Sequence, residues 1–169
     1  MPEPLSQPRT DPAARLVATL TLRGLTVAVA ESLTGGQLTA ELTRPPGASA
    51  VVNGGVVVYA TELKHSVVGV DEALLGEYGP VHPDVARQLA ERVRAVLAVD
   101  GKAADIGIST TGVAGPDAQG GQSVGTVFVG VAIGPETWVE ALQLEGERAD
   151  IRARTVTAAV AAVVERLAE

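Results

Sequence analysis

Apolar residues recur along this chain at two spacings, and the change from one to the other predicts its secondary structure. Positions three and four residues apart mark helices, whereas short unbroken apolar runs are typical of strands buried on both faces. The clearest helical stripe consists of Val85, Leu89, Val93, Val96 and Leu97. The two spacings together predict helices over residues 12–24, 32–44, 61–68, 71–78, 83–99 and 147–167, and strands over residues 25–30, 54–60, 104–110, 124–133 and 137–144.

The order of these elements predicts the fold class. Strands that alternate with helices indicate a sheet covered on both faces. The last two strands are joined by a short turn at Gly134 and Pro135, which favours an antiparallel hairpin. We therefore expect a three-layer α/β/α sandwich with a mixed sheet of about five strands, in which the C-terminal hairpin precedes a long helix. The domain should span residues 11–169, after a proline-rich and disordered tail over residues 1–10.

Composition agrees with one globular domain and narrows its partners. The chain has 169 residues, of which 46% are hydrophobic, enough to form a sizeable core. It contains one Trp, two Tyr and one Phe, so the stacking platforms that bind single-stranded nucleic acid are scarce. A formal net charge of −7 also opposes binding to duplexes. We expect no nucleic-acid partner, and expect a small-molecule ligand and a homo-oligomer.

Several other classes of site and location are disfavoured. The absence of cysteine removes disulfides, thiolate ligands and a cysteine nucleophile. The two histidines, His65 and His82, are poorly spaced for zinc; we interpret His82 as a helix cap and His65 as solvated. Arg23 interrupts the apolar segment that would otherwise resemble a signal peptide, and no uncharged run is long enough to span a bilayer. We therefore predict a cytoplasmic protein without metal, cofactor or membrane association.

The most informative segment is ESLTGG, over residues 31–36. It places the Ser32 hydroxyl where an apolar strand gives way to a helix, beside backbone N–H groups that can hold a phosphate or an oxyanion. A capped helix after a tight turn would use the same residue types, so this segment alone leaves both interpretations open.

Two other segments add possible chemistry. The run over residues 111–125 contains five glycines and follows a predicted strand, at the end of a parallel sheet where ligands bind; a flexible linker is the alternative. Tyr59 and Lys64 lie near the end of the second strand, where both are also common as ordinary strand and surface residues. A lysine whose pKa is lowered by desolvation or by a neighbouring cation can act as the base for a serine, which suggests a Ser-Lys pair.

At this point four motifs together resemble a known family. ESLTGG, the run GGVVVY over residues 54–59 with Lys64, TGVAGP over residues 111–116 and VGTV over residues 124–127 look like the C-terminal domain of CinA, the competence/damage-inducible protein. The resemblance runs from about residue 14 to the C-terminus. It implies an α/β/α sandwich and, from the single-domain members of the family, the activity of a nicotinamide-mononucleotide deamidase.

The resemblance also implies roles for individual residues. Ser32 matches the nucleophile of the family, and Tyr59 and Lys64 match candidates for proton transfer. The remaining matches are candidates for substrate binding: Glu31, Thr34, Gly35, Gly36, Thr111, Gly112, Arg148 and Arg152. For both arginines, a solvated helix start is the simpler interpretation.

The chain departs from the family pattern at two places. Leu33 stands where the family often has cysteine, and Gln122-Ser123 where it often has lysine, which leaves the contribution of that loop to anion binding open. A different amide or ester substrate, and a non-catalytic nucleotide-binding or protein-interaction module linked to competence or DNA damage, remain alternatives to the deamidase.

Overall fold

The computed structural model describes residues 11–169 and contains one five-stranded mixed sheet with the strand order β2-β1-β3-β4-β5. β1 is parallel to both β2 and β3, whereas β4 is antiparallel to β3 and β5. The strands are β1 (Val27–Glu31), β2 (Val52–Val57), β3 (Ile106–Gly112), β4 (Thr126–Ile133) and β5 (Glu136–Gln143). The helices are α1 (Pro12–Arg23), α2 (Gln37–Thr43), α3 (Thr61–Ser66), α4 (Glu72–Tyr78), α5 (Pro83–Val96) and α6 (Arg148–Ala168).

Alternate side chains of the interior strand β1 divide the core in two. Val27 and Val29 pack in the cluster formed with α1, α2 and α6, whereas Ala28 and Ala30 pack in the cluster that includes α5. The smaller side chains on the second face suit a helix that lies close to the sheet: a Cβ on Gly107 would lie 1.8 Å from the Ala90 carbonyl oxygen. Helices therefore cover both faces, which confirms the predicted α/β/α sandwich.

Most element boundaries agree with the sequence prediction. The Asp11 carboxylate accepts hydrogen bonds from the first turn of α1, and Gly24 ends that helix in the left-handed conformation. His82 caps α5 by accepting a hydrogen bond from the backbone N–H of Asp84, as predicted, and His65 is exposed. β4 and β5 form the predicted antiparallel hairpin, followed by the 21-residue helix α6.

Three predictions were wrong in detail. The second strand is a half-exposed edge strand rather than a buried one, because only β1 pairs with it. α2 begins at Gln37, five residues after Ser32, since residues 32–36 form a turn. α5 ends at Val96, which is 41% exposed, so it does not belong to the buried stripe.

Two further predictions bear on the ends and the surroundings of the domain. The predicted tail over residues 1–10 lies outside the described residues. Within residues 11–169, no helix is long and apolar enough to cross a membrane.

Candidate active site

A cleft opens where β1 and β3, two neighbouring parallel strands, reach their carboxyl ends. Ser32 follows β1 directly, and Thr111 and Gly112 end β3. The cleft brings together six of the predicted site residues: Ser32, Tyr59, Lys64, Thr111, Gly112 and Arg148. Ligand sites are expected at this edge of a parallel sheet.

The Ser32 hydroxyl faces a buried amine. Its Oγ accepts a hydrogen bond of 3.0 Å from the Nζ of Lys64, which is 1% exposed. Lys64 comes from α3, the helix that follows β2, so the two residues meet across 32 positions of sequence. The predicted Ser-Lys pair is thus formed in space.

Within the described part of the chain, no carboxylate accepts a hydrogen bond from Lys64. Besides Ser32, its Nζ donates to the carbonyl oxygens of Val58 at 2.7 Å and Tyr59 at 3.4 Å. Burial therefore lowers the pKa of Lys64 from 10.5 to about 8, and the charge of Glu62 opposes this change only in part. The cause is desolvation, one of the two that the sequence left open.

This arrangement is suited to proton abstraction. A neutral amine has two hydrogens and one lone pair, and the two carbonyl oxygens can accept both hydrogens. The lone pair is then left for the Ser32 hydroxyl. Lys64 in its neutral form is placed to act as the base that activates Ser32.

Glu31, on the other side of Ser32, is fully buried and heavily hydrogen-bonded. Its carboxylate accepts from three backbone N–H groups, at Gly36, Leu38 and Thr39, and from the hydroxyls of Thr34 and Thr39. We expected helix-start N–H groups here to be free for a phosphate or an oxyanion. The structure corrects this expectation for Gly36 and the first turn of α2, because the N–H groups of Gly36, Leu38 and Thr39 donate to Glu31 and that of Gln37 donates to the Thr34 carbonyl oxygen.

A chain of hydroxyls links Glu31 to the backbone of Ser32. The Thr34 hydroxyl donates to Glu31 at 2.6 Å and lies 2.8 Å from the Thr110 hydroxyl. The Thr34 hydroxyl donates its one hydrogen to the carboxylate, so the Thr110 hydroxyl must donate to Thr34. Thr110 Oγ1 in turn accepts a hydrogen bond from the N–H of Ser32 at 3.3 Å. Glu31 and Thr34 are thus packed behind the nucleophile and do not line the cleft.

Two N–H groups of the turn after Ser32 remain without a partner. The N–H of Gly35 donates to the carbonyl oxygen of Ser32, whereas those of Leu33 and Thr34 donate no hydrogen bond within residues 11–169. Leu33 also lines the cleft. The N–H of the residue that follows a nucleophilic serine is a common oxyanion donor, so the N–H of Leu33 is a candidate for that role.

Arg148 and Tyr59 meet at the rim of the cleft. Arg148 donates from Nη1 to the carbonyl oxygen of Gly115 at 2.7 Å and from Nη2 to the Tyr59 hydroxyl at 3.1 Å. Tyr59 lies beyond the end of β2 and is 59% exposed. Both partners of Arg148 are uncharged, so its positive charge is available to an anionic ligand.

The other predicted residues take different places. Arg152 and Gly35 contact each other on the turn but do not line the cleft. The Thr111 hydroxyl donates to the Pro80 carbonyl oxygen at 2.6 Å, which ties the end of β3 to the loop before α5. Gln122 and Ser123 do not line the cleft either.

Comparison with known proteins assigns the chain to a family. The model of the CinA C-terminal domain matches residues 9–167. The chain belongs to this family. A competence-damage inducible protein of Geobacillus kaustophilus is 51% identical over 134 residues, which cover 79% of this chain and 31% of that protein. A CinA-like protein of Frankia casuarinae is 46% identical over 150 residues, covering 88% of this chain and 33% of that protein.

Solved structures of the CinA superfamily share the fold. One from Klebsiella pneumoniae has a TM-score of 0.88 at 28% identity and covers 96% of this chain and 99% of that one. A competence/damage inducible protein from Agrobacterium tumefaciens has a TM-score of 0.85 at 29% identity, over 95% and 98% of the two chains. The chain spans about a third of the length of the curated relatives it matches, and none of these names states a reaction.

Sequence reasoning missed two contributors to this CinA site. Thr110 joins Glu31 and Thr34 to the Ser32 backbone, and the N–H of Leu33 faces no protein acceptor. A pair of threonines at the end of an otherwise apolar strand is a signal that would have found Thr110. The sequence predicted free backbone N–H groups beside Ser32 but could not single out that of Leu33, because the partner of each N–H depends on the shape of the turn.

Proposed function

We propose that this domain hydrolyses the carboxamide of nicotinamide mononucleotide to nicotinic acid mononucleotide and ammonia. The observation that carries this proposal is the 3.0 Å hydrogen bond between the Ser32 hydroxyl and a buried lysine whose pKa falls to about 8. A serine with a neutral amine as its base performs acyl transfer, and the family resemblance indicates the amide.

In the first half-reaction, neutral Lys64 accepts the Ser32 proton while Oγ bonds to the amide carbon. The carbonyl oxygen becomes an oxyanion that accepts a hydrogen bond from the N–H of Leu33. The Lys64 ammonium then returns the proton to the amide nitrogen. The C–N bond breaks, ammonia leaves, and an ester to Ser32 remains.

Water completes the cycle. Lys64, neutral again, takes a proton from water as the water oxygen attacks the ester carbon, and the proton is returned to Ser32 Oγ when the ester bond breaks. The products are the carboxylic acid and free enzyme, so amide and water are converted to acid and ammonia. The Tyr59 hydroxyl accepts from Arg148, and its own hydrogen remains free to take part in proton transfer at the rim.

Arg148 is the best candidate to bind the phosphate of the substrate. A net charge of −7 repels an anion at long range, so binding needs local positive charge. A hydrogen bond to a charged group contributes about 1.5–3 kcal/mol, which is about tenfold to a hundredfold in affinity. Nicotinamide riboside, which lacks the phosphate, should therefore be hydrolysed with a KM higher by about that factor.

The direct test is release of ammonia from nicotinamide mononucleotide by the purified protein, with labelling of Ser32 by a fluorophosphonate measured in parallel. Ammonia release that requires Ser32 supports the deamidase. Labelling without ammonia release would mean another amide or ester substrate. The absence of both labelling and hydrolysis would favour the non-catalytic module.

As part of the same proposal, we expect the protein to be cytoplasmic and to form a homo-oligomer.

A further inference from the structure

Arg152 contacts the protein backbone directly behind the nucleophile. It lies in the second turn of α6 and donates from Nε to the Leu33 carbonyl oxygen at 2.9 Å and from Nη2 to the Thr34 carbonyl oxygen at 3.4 Å. Gly35 makes this approach possible, since a Cβ there would lie 3.0 Å from Nη2. One guanidinium thus holds two consecutive carbonyls of the turn.

The position of these carbonyls determines where the neighbouring N–H groups point. In a trans peptide the C=O and the N–H both lie in the peptide plane and point in opposite directions. When Arg152 draws the Leu33 carbonyl towards α6, the N–H of Thr34 points away from α6. The Gly35 N–H, bonded to the Ser32 carbonyl, fixes the Leu33 N–H in the same way. These are the two N–H groups of the turn that donate no hydrogen bond within residues 11–169.

We propose that Arg152 is a positioning residue that holds the nucleophile turn in its reactive geometry, rather than a ligand of the substrate phosphate. Arg148, four residues earlier, lines the cleft, whereas Arg152 donates two hydrogen bonds to backbone carbonyl oxygens. Its planar fork serves two acceptors at once, which a lysine ammonium does not reproduce in fixed geometry. This inference rests on the proposed deamidase only for the choice of substrate.

The experiment compares Arg152→Met and Arg152→Lys with Arg148→Met and with Arg154→Met as the matched control. Arg154 lies on the same helix, is exposed and donates to the Glu145 carbonyl oxygen. The rate of Ser32 labelling by a fluorophosphonate is measured first, because it reports on the turn without any amide substrate. kcat and KM are then measured for nicotinamide mononucleotide and for its riboside.

We expect Arg152→Met to slow labelling by about tenfold to a hundredfold, the loss of one or two charge-assisted hydrogen bonds. The kcat for both substrates should fall by a similar factor with little change in KM. Arg152→Lys should restore little of either rate. Arg154→Met, the control, should keep the wild-type rates. Arg148→Met should instead raise KM for the mononucleotide alone.

Other outcomes would overturn this role. If Arg152→Met labels at the wild-type rate and only raises KM for the mononucleotide, Arg152 is a phosphate ligand. If Arg152→Met does not fold, the labelling rate of Arg152→Lys tests the proposal instead. A wild-type labelling rate in that variant would contradict the positioning role of Arg152. If the wild-type protein is labelled but hydrolyses neither compound, the deamidase proposal is wrong. The role of Arg152 is then still tested by the labelling rates of its variants. A wild-type protein that is neither labelled nor active contradicts both proposals.

Discussion

Two buried ionisable side chains flank Ser32, and the fold surrounds them in opposite ways. The Glu31 carboxylate, on the side of α2, accepts five hydrogen bonds. Among the described residues, the Lys64 amine, on the side of α3, has only a hydroxyl and two carbonyl oxygens as partners. Glu31 is 0% exposed and Lys64 is 1% exposed, so burial alone does not distinguish them.

The difference shows how a buried charge becomes either structural or reactive. A buried carboxylate whose oxygens are saturated with donors rigidifies the backbone that supplies those donors. A buried amine without an adjacent counter-charge has a lowered pKa and exchanges its proton near neutral pH. Ser32 lies between the two, with its backbone held from the Glu31 side and its hydroxyl activated from the Lys64 side.

The largest effect should come from removing the nucleophile itself. Ser32→Ala eliminates the atom that attacks the amide, and we expect kcat to fall by ~10⁴–10⁶-fold. The Glu31 network does not involve the Ser32 side chain, so the fold should persist. Ammonia release and thermal unfolding are measured together, with Ser123→Ala, a loop substitution outside the cleft, as the control. Wild-type turnover by folded Ser32→Ala would show that another group attacks.

The next effect concerns the base. A neutral amine is required, so kcat/KM of the wild type should rise about tenfold per pH unit up to about pH 8 and then level off. Lys64→Arg keeps the charge but cannot deprotonate in this range, and we expect a loss of about 10³-fold or more at every pH.

The larger guanidinium also strains a buried site, so Lys64→Met serves as a second variant. Circular dichroism and thermal unfolding establish that each variant is folded before its rate is interpreted. Activity of folded Lys64→Arg close to the wild type would mean that Lys64 supplies only positive charge. The contrast with Glu31 as a purely structural charge would then disappear.

On the Glu31 side the main consequence should be lost stability. Glu31→Gln replaces one acceptor oxygen by an NH₂ that faces donors, and at least two hydrogen bonds to the carboxylate are lost. We expect the free energy of unfolding to fall by about 3–5 kcal/mol. Chemical denaturation measures this, and Glu77→Gln, at an exposed carboxylate on α4, is the matched control. A stability equal to that of the control would show that the Glu31 network contributes little to the fold.

The layers of this fold were predictable because they depend on local patterns. Apolar spacing and the cap at His82 depend on neighbouring residues, and these predictions were confirmed. The edge position of β2 was not predictable, since an apolar run such as GGVVVY is the same whether one strand or two pair with it.

The roles of the charged residues depended on long-range geometry. Nothing local distinguishes Arg148 from Arg152, yet one reaches the cleft and the other the backbone of the turn. Glu31 was predicted to bind substrate because it belongs to ESLTGG, but its contacts with α2 depend on how that helix starts. The sequence therefore predicted which charged residues lie near the site, but it could not predict which groups each of them contacts.

The smallest effect, and the one that tests desolvation of Lys64 without any substrate, is a change of stability with pH. The pKa of Lys64 is about 8 in the folded protein and returns to about 10.5 on unfolding. Below pH 8 both states bind the proton, so Lys64 contributes no pH dependence. Between pH 8 and 10.5 the unfolded state binds more protons, and the free energy of unfolding should rise with pH by up to about 3 kcal/mol in total.

Lys64→Met isolates this contribution, because every other titrating group is common to both proteins. The difference in unfolding free energy between wild type and Lys64→Met should be constant from pH 6 to 8 and then shift in favour of the wild type up to pH 10.5. Urea denaturation at closely spaced pH values measures it. Parallel curves across the whole range would mean that Lys64 keeps an ordinary pKa in the fold. Such an amine would keep its proton up to about pH 10, and it would resemble Glu31 in holding structure instead of moving a proton.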